Sequence, residues 1–245
     1  MAESSKASRG RRESAAAGRH SASLALRVAL GAFVVVFYNS WVLWPLNGDP
    51  QVLSGYLSEL AAQDQPYQWV FRLTDVASAC AFGAIAALGR RGWASWLGRW
   101  SAYLALALLL AAVGTVLDAI FNLPCAESRD AACASTFGVV RRLHEAASVL
   151  ASVALIAIIG LVALAFAELD GCWSRRAVAV AAFAVLVAIL LVSSAVLPFV
   201  VPGVQGPLQL VQVPLSSAWI AFLAWRLDAG PSRSKTPSDA GSESA

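Results

Sequence analysis

Chemistry in this chain is confined to a few side chains set beside or inside apolar segments. The stretch "YLSELAAQDQPYQWVFRLTDVASA", residues 56–79, holds Ser58, Glu59, Arg72 and Asp75. Further on come Asp118, then Arg141, His144, Glu145 and Ser148, then Gln209, Gln212 and Ser216. The first of the last two sets follows the i, i+3, i+4, i+7 spacing of one helical face and the second its i, i+3, i+7 positions. His144 lies outside the polar N-terminal tail, and its imidazole can shuttle a proton or bind a metal. With Asp118 or Asp75 it could form a base and its orienting acid, leaving Ser58 or Ser148 as a nucleophile. The alternative is structural: Arg72 and Asp75, three residues apart, pair along their own helix, while Asp118 and His144 meet headgroups and water. No HExxH or histidine cluster supports a zinc site, and no cofactor is expected.

The elements that carry these residues are apolar runs. Of the 245 residues 58% are hydrophobic and 13% charged, against about 25% charged in a soluble domain; the mean hydropathy is +0.66. The net charge of +3 comes without a basic patch interleaved with aromatics, so a nucleic-acid partner is not expected. Six runs, at about 24–44, 67–89, 101–121, 143–166, 177–199 and 207–226, each approach the roughly 20 residues that cross a bilayer as a helix. Alternating ten-residue stretches of a membrane β-barrel are absent. The expectation is an all-α membrane protein, a six-helix transmembrane bundle over 24–226. Residues 1–23 and 227–245 are polar and read as disordered tails. The "GRRES" of the first tail lies about a dozen residues ahead of the first run with no cleavage site after it, so the first run reads as a retained helix.

Basic residues orient the bundle. The first tail and the start of the first run, the second–third and fourth–fifth connections and the C-terminal end hold 14 of the 18 lysines and arginines. The other side holds Arg72, Arg129, Arg141 and Arg142. Both termini are therefore expected in the cytoplasm of a cell-membrane protein, with the polar residues gathered toward the outer face. Ionisable groups at membrane depth are costly and turn toward a bundle interior or a cavity. An outward pocket is thus expected from Glu59, Arg72, Asp75, Asp118, Arg141, His144, Ser148, Gln209 and Gln212, with Arg72 and Asp75 facing inward. Cys125 and Cys133, eight residues apart in the outer loop "NLPCAESRDAACAST", are expected to form a disulfide. Pro214 removes a backbone hydrogen bond inside the sixth run and would kink it there.

Several landmarks recur in one order. "SEL" precedes the second run, a Phe-containing loop after the third run is followed by "RRLHEAAS", and "GPLQ" opens the sixth run and leads into "WIAFLAWRL". Over about residues 24–226 this arrangement resembles the bacterial, actinobacterial-type "domain of unknown function 998" membrane family. The resemblance implies the six-helix topology and singles out Ser58, Glu59, His144, Ser148 and Gln209. It assigns no activity.

Three functions remain open on the sequence. The first is binding of a lipid or other amphiphilic small molecule in the outward pocket. The second is a membrane-embedded lipid-modifying hydrolase or transferase that uses His144 with an acid. The third is a structural or partner-binding membrane component, although the sequence names no protein partner. A transporter would need polar groups through the midplane, and the inner halves of the runs carry almost none. The topology is checked by reporter fusions: one in the C-terminal tail and one in the loop of Cys125 and Cys133 should report opposite sides of the membrane. Signals from the same side would contradict six crossings.

Overall fold

The computed structural model describes residues 23–48, 50–134 and 138–228; most of both polar tails lies outside these residues. Ser23 opens the first helix by accepting a hydrogen bond from the Leu26 amide at 3.2 Å, which satisfies one of the unpaired donors of a helix N-terminus. The six long helices are α1 (Leu24–Tyr38), α2 (Gln68–Gly92), α3 (Trp100–Ile120), α4 (Val139–Leu169), α5 (Arg175–Val196) and α6 (Gln205–Trp225). With the 3₁₀ turns that continue α1 to Asn47 and α5 to Phe199, all six are long and apolar enough to cross a membrane.

The boundaries differ from the hydropathy pattern where polar residues join a helix. α4 begins at Val139, ahead of the expected 143, and its 31 residues span roughly 46 Å. That exceeds the roughly 30 Å hydrocarbon core, so its polar first turns stand beyond the apolar part of the bundle. α1 has 15 residues as α-helix and then eight as a 3₁₀ helix, Ser40–Asn47, which contains Pro45. The tighter 3₁₀ winding gains roughly 2.0 Å per residue and completes the crossing.

The helices pack in a ring in chain order, each against its neighbours, and α6 closes the ring on α1. The most extensive packing joins α3 to α2 and α4, where small residues permit close approach. A Cβ on Gly114 of α3 would meet the Ala151 backbone of α4 at 2.6 Å, so only glycine fits that crossing. Phe82, Ile85, Leu104, Leu108, Ile158 and Ile220 fill the middle of the ring. At one end the described ends of the chain meet: Arg27 donates to the Trp225 carbonyl at 3.2 Å. Leu227, which the sequence pattern places in the tail, is buried there. Trp93 is also buried, and its indole N–H donates to the Leu223 carbonyl at 3.0 Å. Trp69, Trp173 and Trp225 are exposed, as interfacial tryptophans are.

The opposite, distal end is roofed by the two long connections. Residues 50–61 wind through short 3₁₀ turns, and residues 121–134 form a loop with Cys125 and Cys133 at disulfide distance, their Cα atoms 6.3 Å apart. Carboxylates on the first connection hold backbone amides of the second. Glu59, 1% exposed, accepts from the Ser128 amide at 3.1 Å, from the Ser128 hydroxyl, and from the Tyr56 amide at 3.1 Å. Asp64 accepts from the Ala126 amide at 3.1 and 3.2 Å. Gln63 donates its backbone N–H to the Leu123 carbonyl at 2.9 Å, and Arg129 donates to the Gln65 side chain at 3.0 Å.

Burial pushes the Glu59 carboxyl above the ordinary carboxylate range, while the hydrogen bonds from Ser128 and Tyr56 pull it down. The folded chain therefore holds this proton more tightly than the unfolded chain. The group's contribution to stability falls as pH rises from the unfolded pKa through the folded one. Glu59→Ala removes the acceptor of three donors and should lower stability by about 2–4 kcal/mol, since each buried donor left unpaired costs roughly 1–3 kcal/mol. Glu59→Gln keeps an acceptor oxygen and should lose less. Thermal unfolding in detergent checks both, and an unchanged midpoint for Glu59→Ala would show that the roof does not depend on this carboxylate.

A candidate binding cavity at the distal end

Beneath the roof the ring holds a partly open cavity of about 150 Å³. α2 contributes Phe71 and Asp75, one turn apart; α3 contributes Thr115 and Asp118 at i, i+3. α4 contributes Ser148, Ala151 and Ser152, and α6 contributes Gln209, Gln212 and Val213. Tyr38 ends α1, and the 3₁₀ helix after it adds Ser40 and Trp41. The roof supplies Leu57, Ser58, Leu60 and Ala61. Gln209 also ties the roof to the bundle, its side-chain oxygen accepting from the Leu57 amide at 2.7 Å.

Asp118 is the hub of the polar wall. The Ser148 hydroxyl donates to its Oδ1. His144, one turn earlier on α4 and 5% exposed, brings Nδ1 to 3.4 Å from the same Oδ1 and 3.3 Å from the Asp118 carbonyl oxygen. A proton on Nδ1 serves both oxygens and leaves Nε2 as the acceptor. The order is serine–acid–histidine. A serine nucleophile is activated by a base in contact with its hydroxyl, with the acid behind that base. Here the acid stands between Ser148 and His144, so the contacts orient Ser148 and His144 around a carboxylate and do not set a base on Ser148. The Ser58 hydroxyl makes no hydrogen bond among the described residues.

The sequence-expected residues divide into two groups. Ser58, Asp75, Asp118, Ser148, Gln209 and Gln212 line the cavity, and His144 lies directly behind Asp118. Glu59, Arg72 and Arg141 do not line it. Glu59 is spent on the roof. Arg72 turns away from Asp75, donating to the Ala119 carbonyl at 2.9 Å and lying 4.2 Å over the Trp69 ring. The carbonyls at a helix C-terminus and an aromatic face both favour a cation, and together they outbid an intrahelical pair. Arg141 meets Glu127 at 2.9 Å and Glu145 at 3.0 Å; burial raises the Glu127 carboxyl while Arg141 lowers it.

Tyr38, Trp41, Phe71, Thr115 and Ser152 line the cavity but were not singled out from the sequence. The i, i+3 step from Thr115 to Asp118 and the i, i+4 step from Ser148 to Ser152 could have marked the last two. The aromatics sit in apolar stretches, where nothing separates a cavity wall from a core or lipid face.

The chain matches the family described as "Protein of unknown function (DUF998)" over residues 15–226 and belongs to it. Membership in this membrane family and six helices of sufficient length and apolarity make it a multi-pass membrane protein. No curated protein and no solved structure gives a significant match.

Proposed function

We propose that this chain is a multi-pass protein of the cell membrane, with both termini cytoplasmic, whose outward-facing distal cavity binds a lipid or another amphiphile by its polar end. One observation carries the reading: polar side chains from α2, α3, α4 and α6, two aspartates among them, line one cavity under the roof, while the main core of the ring is a cluster of apolar side chains. Polar groups at membrane depth are retained where they pair or line a cavity. The volume of about 150 Å³ lies below the roughly 300–1,000 Å³ of pockets that take drug-sized molecules. It suits a headgroup, with acyl chains left against the exposed apolar flanks. The bias of basic residues supports the orientation.

Native mass spectrometry of the full chain, extracted in mild detergent from its membranes, tests this reading. A retained lipid adduct is expected, and Gln212→Leu, which replaces a polar wall with a similar volume of hydrocarbon, should reduce adduct occupancy at least fivefold while far-UV circular dichroism stays unchanged. An adduct equally occupied in the variant, or none in the parent, would overturn it.

A further inference from the structure

The chemistry of the cavity wall specifies more than a polar headgroup. Asp75 and Asp118 both line it. Arg72, Arg129 and Arg141 are engaged elsewhere, Arg72 on the Ala119 carbonyl and Trp69, Arg129 on Gln65, and Arg141 on Glu127 and Glu145. Asp118 is occupied by Ser148 and His144. The Asp75 side chain makes neither a hydrogen bond nor an ion pair among the described residues. Gln212, 5% exposed, lines the same cavity, and its side chain makes no hydrogen bond among the described residues. With both its donor and its acceptor left uncommitted on the cavity wall, this amide is available to a polar guest. Three aromatic residues, Tyr38, Trp41 and Phe71, complete the wall.

Carboxylates and aromatic rings around one small space are the recognition chemistry of an organic ammonium ion, whose charge is attracted by both the acid and the ring faces. We propose that the cavity receives an organic ammonium group, with Asp75 as its counter-ion, Gln212 as its hydrogen-bond partner and the aromatics as its cage. The proposal rests on the reading of this cavity as a binding site. The ammonium can come from a zwitterionic lipid headgroup or from a soluble amine, and the chemistry of recognition is the same.

The test uses the full chain in detergent and measures binding of phosphatidylethanolamine, phosphatidylcholine, phosphatidylglycerol and, separately, soluble ethanolamine and choline. At least one amine-bearing probe should bind at least tenfold more tightly than phosphatidylglycerol. Asp75→Asn should weaken that binding at least tenfold, and Trp41→Leu severalfold, with circular dichroism reporting an intact fold in each. Trp41→Leu keeps the test decisive if Asp75→Asn fails to fold. Binding of the amine-bearing lipids assigns a headgroup, and binding of the soluble amines alone keeps the ammonium site and removes the amphiphile. Phosphatidylglycerol bound as tightly as the amines, and lost in Gln212→Leu, would overturn the ammonium site and leave the amphiphile cavity standing. Binding of no probe would overturn both, and amine binding unchanged by Asp75→Asn would overturn the assignment of the counter-ion.

Discussion

The distal half of this protein depends on the carboxylate of Glu59. Two connections that have no regular ladder between them are joined because this one buried acid accepts from backbone and hydroxyl donors of Ser128 and from the Tyr56 amide. A buried carboxylate is tolerable only when its lone pairs are engaged, and buried loop amides need acceptors for the same reason. Each requirement meets the other. Asp64 accepts from the Ala126 amide in the same way, the Gln63 amide donates to the Leu123 carbonyl beside it, and Cys125 and Cys133 close the second loop on itself. The result is a roof whose underside, Leu57 to Ala61, becomes a wall of the cavity.

The disposition of charge follows from the same economy. Arginines near the distal end are turned to the rim, where a helix carbonyl, an indole face or a carboxylate receives them. Asp75, Asp118, Gln209 and Gln212 instead line the cavity. A guanidinium at the rim can remain partly hydrated, whereas one in the cavity would fill it and neutralise Asp75. The interior therefore combines acidic and aromatic groups with no arginine or lysine among the lining residues.

Hydropathy and helical spacing made the six spans legible, since the residues facing lipid and those facing the ring are both apolar and the runs stop where polar turns begin. The stripe of His144 and Ser148 on α4 and that of Gln209 and Gln212 on α6 were legible for the same geometric reason. Glu59 and Arg72 were assigned to the cavity because sequence spacing reports which residues share a face but not which partners lie across the bundle. The Ser128 donors of Glu59 are 69 residues away, and the Ala119 carbonyl that draws Arg72 is 47 residues away. Backbone acceptors leave no mark in composition. Tyr38 and Trp41 were missed because an aromatic in an apolar run looks alike in a core, at a lipid face or in a cavity wall.

The central claim is that a reachable, negatively biased cavity lies beneath the roof, and cysteine labelling tests it most directly. In a chain with Cys80 and Cys172 replaced by serine and the Cys125–Cys133 pair kept, Gln212→Cys places one thiol on the cavity wall. A methanethiosulfonate carrying an ammonium group should modify it at least tenfold faster than one of similar size carrying a sulfonate. Equal rates, a faster sulfonate reagent, or no labelling by either in a correctly folded variant would contradict the cavity described.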